Sequence, residues 1–285
     1  MEKSNRKWGK AARLQFIEFR LYWEGRINRS DLVDHFEISV PQASLDIASY
    51  LDAAPGNTEY DKQRKAYFAT ENFRPVLTEP NARDYLSQLE MLCAEDGSPV
   101  SHRSFVGMPP SFDIAQTPER VVNAAVFRRV LEAIREKLDM EIEYQSMTRP
   151  QAARRWIAPH AVASDGFRWH IRGYCHDRNK FIDFVFGRIL EVGPMRASQV
   201  DSATDVPWHT MVELEIGPHP SLDEAQKKAI ELDYAMENGR ATLVLREALA
   251  PYMKKRLGLL SSITASEAPR GSQHLCLISE RRRET

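Results

Sequence analysis

EIEYQSMTRPQAARRWIAPHAVASDGFRWHIRGYCHDRNKFIDFVFGRILEV, residues 141–192, is the stretch on which the reading of this chain turns. Three segments in it, 141–145, 167–174 and 181–189, alternate with the period of two that marks half-buried strands. In the middle segment Phe167, Trp169, Ile171 and Gly173 fall on one face. Arg168, His170, Arg172 and Tyr174 fall on the other, because successive strand side chains point to opposite sides. A row of cationic or titratable groups repels itself, so it persists where water screens it or where an anion lies across it. Tyr144, Ser146, Arg149, His160 and Arg188 lie nearby in the sequence. With Arg168, His170 and Arg172 they make a set suited to phosphate or carboxylate, for which the planar guanidinium offers paired donors. A solvated sheet face and an anion site both remain open at this point.

The pattern Tyr144-x-Ser146, Ala158-Pro159-His160, Arg168-Trp169-His170-x-Arg172 and Phe186-Gly187-Arg188-Ile189 resembles the WYL domain, a small Sm-like β-barrel of bacterial transcription regulators. The name-giving triplet would fall at Trp169-His170-Ile171, so two of its three letters differ. Within the family the pattern is similar to the branch of the BrxR and CapW repressors of phage-defence loci, in which His in the second position is usual. The resemblance implies an anionic effector, such as a nucleotide or oligonucleotide, held by the eight residues Tyr144, Ser146, Arg149, His160, Arg168, His170, Arg172 and Arg188.

At 285 residues and 32.7 kDa the chain is long enough for two or three domains. A hydrophobic share of 42% and a charged share of 28% are ordinary for a folded, soluble protein. No apolar run approaches the ~20 residues that span a bilayer, and the charged N-terminus MEKSNRKWGKAARLQF lacks the apolar core of a signal peptide. A cytoplasmic protein without membrane contact is expected. Cys93, Cys175 and Cys276 are odd in number and far apart, which favours reduced thiols over a disulfide framework or a zinc site. The net charge of −1 hides a local imbalance: between Lys3 and Arg29 eight cations face only Glu18 and Glu24. A basic N-terminal element on a neutral protein suits local contact with nucleic-acid phosphates.

Residues 8–23 read as an amphipathic helix with Leu14, Ile17, Leu21, Phe16 and Phe19 on its apolar side and Gly25 at its exit. A short second helix follows, with Ser30 as its N-cap. A third starts at Val40-Pro41 behind Ser39 and runs to about Ala53, with Leu45, Ala48 and Leu51 or near neighbours turned inward. Two helices joined by a tight turn are the layout of a helix-turn-helix. Residues 57–60 and 65–69 pair as a hairpin tipped by Asp61-Lys62-Gln63-Arg64, in the position of a wing. The DNA contacts expected are Arg29, then Pro41, Gln42, Ala43, Ser44 and Asp46 at the groove-entering end of the third helix, and Lys62, Arg64 and Lys65 on the wing. Gln42 is the first choice for base readout, since an amide pairs with adenine. A small α+β module whose basic hairpin is merely solvated is the alternative.

Residues 72–80 read as a connector, 81–94 as a helix, and 96–118 as an irregular linker despite Phe105 and Phe112. Thr117-Pro118-Glu119 opens a helix to about Leu138, along which Val122, Val126, Val130 and Ile134 repeat every fourth residue. After Val192 come a strand at 211–216, a helix at 221–233 capped by Ser221, a strand at 241–245, a helix at 249–257 ended by Gly258, and a strand at 274–278. That βαβαβ order is a small α+β unit. Residues 232–236 and 251–258 are similar to the C-terminal extension of the same repressors, which implies a homodimer.

Enzyme signatures are missing: the chain has no GxGxxG, P-loop, HExxH or GxSxG, and no carboxylate cluster beside the arginines to hold nuclease metals. Cys175-His176-Asp177 are adjacent in sequence, whereas a triad needs spatial convergence. No cofactor and no metal are expected. The whole reads as an α+β protein. A winged helix-turn-helix over 1–75, a helical connector over 76–138, a WYL barrel over 139–195 and an α+β dimerisation unit over 205–285 are expected. Function follows as a homodimeric repressor of an inverted-repeat operator in double-stranded DNA. The alternative is an accessory protein whose barrel binds RNA or single-stranded DNA.

Overall fold

The computed structural model describes residues 9–93, 104–115, 118, 120–259 and 274–283, which fall into two units, residues 1–117 and 118–285. In the first unit α1 (Lys10–Glu24) buries Phe16, Ile17 and Leu21 on one side. It stops where Gly25 takes a left-handed φ of 72° and its N–H donates to the Leu21 carbonyl. Then come β1 (Arg26–Ile27), α2 (Arg29–Phe36), α3 (Val40–Ala53), β2 (Thr58–Asp61), β3 (Ala66–Ala69) and α4 (Ala82–Cys93). The strands form an antiparallel sheet in the order β1-β3-β2, so the expected hairpin carries a third strand.

Two expectations about the helices need correction. Asn28, not Ser30, caps α2: its side chain accepts from Asp31 N–H, and the Asp31 carboxylate accepts from Asn28 N–H. Ser39 and Pro41 do open α3, but the buried stripe is Ala43, Asp46, Ile47 and Tyr50, while Leu45 and Ala48 face outward. Ile47 and Tyr50, the near neighbours of Ala48 and Leu51, carry the buried side, and Asp46 is buried with them against an internal cation.

The connector and linker are more structured than their composition suggests. The buried Glu18 carboxylate accepts from the backbone N–H groups of Val76, Leu77 and Thr78, and Asn57 clasps the backbone of Arg74. Phe105 enters the helical core, edge-on to Phe16 at 5.2 Å and to Phe19 at 5.7 Å.

In the second unit α5 (Ala124–Glu136) begins behind Asn123, whose side chain accepts from Ala125 and Val126 N–H. The expected start was earlier; Thr117 and Glu119 lie outside the described residues, and Asn123 supplies the cap in fact. The sheet that follows contains β4 (Leu138–Tyr144), β5 (Ala153–Ser164), β6 (Trp169–Cys175), β7 (Lys180–Val185) and β8 (Ile189–Ala197), in the antiparallel order β7-β6-β5-β4-β8. A 3-10 turn, Phe186–Arg188, joins β7 to β8 where a ladder between them would close a ring. Met140, Ile142, Ile157, Ile171, Cys175, Phe184 and Phe186 fill the inner face, with Val130 and Ala133 of α5 packed on them. Gly173 lets β5 and β6 approach closely: a Cβ there would lie 2.8 Å from the Ala158 carbonyl oxygen.

The chain continues through α6 (Val206–His209), β9 (Met211–Pro218), α7 (Glu224–Asp233), β10 (Ala241–Arg246), α8 (Ala250–Arg256) and β11 (Leu275–Arg282). These three strands make a sheet in the order β10-β9-β11, with Val212, Leu214 and Ala250 in its core. α7 is capped by Asp223, which forms a capping box with Gln226; the expected cap, Ser221, instead bonds His219 Nδ1 at 2.7 Å. Among the described residues no helix is long and apolar enough to cross a membrane.

Candidate nucleic-acid interface and anion site

In the helix-turn-helix the candidate contacts divide by exposure. Arg29, Pro41, Lys62, Arg64 and Lys65 are exposed, and Gln42 and Ser44 are half-buried. Ala43 is fully buried in the helical core and Asp46 is 1% exposed. Asp46 receives Arg13 in a two-pronged contact, Nε to Oδ2 at 2.6 Å and Nη2 to Oδ1 at 3.2 Å. Gln42 Nε2 donates to Asp46 Oδ1 at 3.1 Å, which holds the amide along the helix. Pairing with an internal cation is what makes burial of that carboxylate tolerable. The wing tip is turned by Asp61, whose Oδ1 accepts from Gln63 and Arg64 N–H; Lys65 sits at a φ of 51° and leads into β3. The Arg64 guanidinium lies over Phe68 and 3.8 Å from Asp61, largely in solvent.

In the five-stranded sheet the strand alternation holds, but the charged face of β6 is neither solvated nor open. Ile171 points into the core, while His170 and Arg172 are 2% and 6% exposed on the opposite face. Their counter-charges come from the chain itself. Arg172 donates Nε and Nη2 to the two carboxylate oxygens of Asp205 at 2.7 and 2.8 Å, and Nη1 to Asp183 at 3.2 Å. His160 Nε2 meets Asp205 at 2.9 Å, and Tyr252 of α8 donates to Asp183 at 2.8 Å. Asp165 binds His170 at 3.1 Å and Arg168 at 3.0 Å, and accepts from Phe167 and Arg168 N–H in the turn between β5 and β6. That turn needs Gly166: its φ is +86°, and a Cβ would meet the Arg256 guanidinium at 2.0 Å. His160, His170 and Arg172, expected as anion ligands, are members of an ionic network with Asp165, Asp183 and Asp205.

The network shifts its members in ways that follow from burial and pairing. Burial raises the carboxyls of Asp165 and Asp205, but hydrogen bonds from Phe167, His170 and Arg168 to the first, and from Arg172 and His160 to the second, outweigh it and leave both below the usual range. Burial holds His160 below the ordinary imidazole value against the pull of Asp205. Burial and the neighbouring Asp183 push the Tyr252 phenol up.

The remaining anion candidates sort differently. Tyr144 is buried, and its hydroxyl accepts from Val185 N–H at 3.1 Å, so it braces the end of β7. Ser146 and Arg149 lie in the loop between β4 and β5, Ser146 beside Thr148 and Arg149 exposed. Arg168 and Arg188 do come together: with Arg120, Trp169, Val185 and Gly187 they line a pocket of about 330 Å³. Trp169 stands 54% exposed at its rim. Arg120 and Trp169 were not singled out from the sequence as ligands; Arg120 precedes the helix, far from the strand pattern. Arg155 was missed as well. It is 4% exposed, lies over the Tyr144 ring at 5.4 Å, and has no hydrogen-bond partner for Nε or Nη2 among the described residues. The adjacent pair Arg154-Arg155 was its only trace, since one of two consecutive strand residues must point inward.

Comparison with known families adds three matches in chain order. Residues 9–91 match the BrxR transcriptional regulator winged helix-turn-helix domain, 125–194 the WYL domain, and 211–285 the BrxR transcriptional regulator C-terminal dimerization domain. The DNA-binding transcriptional repressor CapW of Pseudomonas aeruginosa is 41% identical over 253 residues, which cover 89% of this chain and 84% of that protein. The repressor of the same name from Stenotrophomonas maltophilia is 38% identical over 271 residues, covering 94% and 89%. A solved structure, proteasome accessory factor B/C of Arthrobacter aurescens, is 18% identical with a TM-score of 0.27; the match covers 86% of this chain and 44% of that one.

Proposed function

The chain belongs to the CapW family of transcriptional repressors, and on that premise we propose that it represses transcription as a homodimer bound to an inverted repeat. The observation that carries the proposal is the exposed α3 of a helix-turn-helix flanked by a wing whose Lys62, Arg64 and Lys65 stand in solvent. Phosphate contacts of that kind position a protein, and the helix reads the groove. The β9–β11 unit, which matches a dimerization domain, supports pairing of two copies. Resemblance to the BrxR and CapW branch supports a phage-defence operon as the target.

The pocket of Arg120, Arg168 and Arg188 supports an anionic effector, a nucleotide or a short nucleic acid. Planar guanidinium groups suit phosphate, although Arg168 also keeps its bond to Asp165, and an exposed indole offers a face to a base. Binding there would shift the dimer toward a geometry that no longer matches the operator, since a ligand moves an equilibrium only by its difference in affinity for the two states. The test is operator binding with and without added nucleotides and short single strands, on wild type and Arg188→Ala. Release by one class of anion from wild type, lost in Arg188→Ala with operator affinity intact, supports the reading. Equal behaviour of the two proteins with every anion rejects the pocket as the effector site.

A further inference from the structure

α3 contains no arginine or lysine anywhere in Val40–Ala53. The commonest reader of guanine is therefore absent from the helix that enters the groove. The polar side chains of its first three turns are already engaged: Gln42 donates to Asp46, Asp46 is buried against Arg13, and the hydroxyls of Ser44 and Ser49 donate to the carbonyls of Val40 and Leu45 at 3.0 and 2.8 Å, while Asp52 stands exposed near the C-terminal end. What stands outermost is hydrocarbon. Leu45 is 63% and Val40 54% exposed, and Pro41 and Ala48 are exposed beside them on the same side of the helix. An uncharged apolar strip is unusual on the face a helix turns to DNA, and nothing within the described residues of this unit covers it.

From this we infer that Leu45, with Pro41 and Ala48 around it, reads DNA through the C5-methyl groups of thymines in the major groove. The inference rests on the DNA-binding function proposed above and names the chemistry by which α3 discriminates. Thymine is the one base whose major-groove edge carries a methyl group, so a hydrocarbon strip recognises it and no other. Hydrogen bonding from this helix is secondary: the half-buried amide of Gln42 is held back by Asp46, whereas Leu45 projects freely.

The test uses the full-length protein and duplexes that it selects itself from a random pool. Each thymine of the enriched sequence is replaced in turn by deoxyuridine, which removes the methyl group and nothing else. Wild type should lose about three- to tenfold in affinity at one or two positions of each half-site, the order expected for one methyl group returned to water. Leu45→Ala should bind the unmodified duplex more weakly by a similar factor and be insensitive to deoxyuridine at those same positions. Its melting temperature should equal that of wild type, because Leu45 is not in the core. Enrichment of a sequence whose thymine methyls are all silent, or equal deoxyuridine losses in wild type and Leu45→Ala, overturns the inference alone. Failure to enrich any sequence overturns the DNA-binding reading, and the inference with it. A fall in dimer mass in Leu45→Ala, with deoxyuridine still costly, assigns the strip to a protein contact and also overturns it.

Discussion

Arg172 shows how far a single residue's meaning depends on what faces it. Read along the sequence it is the last of three cationic or titratable groups, Arg168, His170 and Arg172, on one strand face; in the fold it bridges Asp205 and Asp183 with little access to water. Desolvating such a pair is costly, and removing one partner strands the other. Arg172→Ala should destabilise the second unit by about 3–5 kcal/mol. Urea denaturation checks this, and a loss under about 1 kcal/mol would place the pair with weak surface bridges. His160 adds a pH dependence. Its folded-state value is lowered by burial, so the unfolded chain takes up a proton that the folded one resists. Its contribution is full above about pH 6.5 and declines as pH falls from there. Asp165 and Asp205, both lowered in the fold, contribute above about pH 4 and lose that contribution only below it. His160→Gln should therefore flatten the thermal-stability profile between pH 7 and 5 and leave the steeper loss below pH 4. Parallel profiles of wild type and variant across that range would show that His160 does not titrate there.

At the scale of elements, what was legible followed local rules. α1, α3 and the hairpin of β2 and β3 announce themselves by apolar period, by Ser39-Pro41 and by Gly25, each acting within a few residues. β5 did not. Ile157, Ala158 and Pro159 are consecutive and all buried, because the strand is covered on both faces, and a strand without alternation carries no period-2 signal. α2 and α7 were found with the wrong cap, since Asn28 and Asp223 sit two residues to one or the other side of an equally good serine and only a capping box distinguishes them. The anion set was half legible for a different reason. Alternation correctly put Arg168, His170 and Arg172 on one face, but Asp205 and Tyr252 reach that face from 33 and 69 or more positions away in contacts such as Arg172–Asp205 and Asp183–Tyr252. No local pattern foretells such a cover. The wing makes its own prediction. Arg64 is exposed and tied only loosely to Asp61, so Arg64→Ala should weaken selected and random duplexes alike and reduce the salt slope of binding by about one. Titration at several salt concentrations reads it; an unchanged slope would remove the hairpin from the DNA contact.

For the molecule as a whole, two BrxR regulator domains flank a WYL domain, and the reading gives each module a part: α3 and the wing for DNA, the pocket of Arg120, Arg168 and Arg188 for an anion, and the β9–β11 sheet for a second copy. A two-fold protein imposes its symmetry on what it binds, so half-sites should be related by inversion with centres about 34 Å or a multiple apart. The most direct measurement is a footprint on a duplex that the full-length protein selects from random sequence, with the mass of the complex determined in parallel. Two inverted protected half-sites at that spacing, bound by two copies of the chain, are the predicted result. A single protected half-site bound by one copy, with affinity unchanged on dilution, would contradict the dimeric repressor.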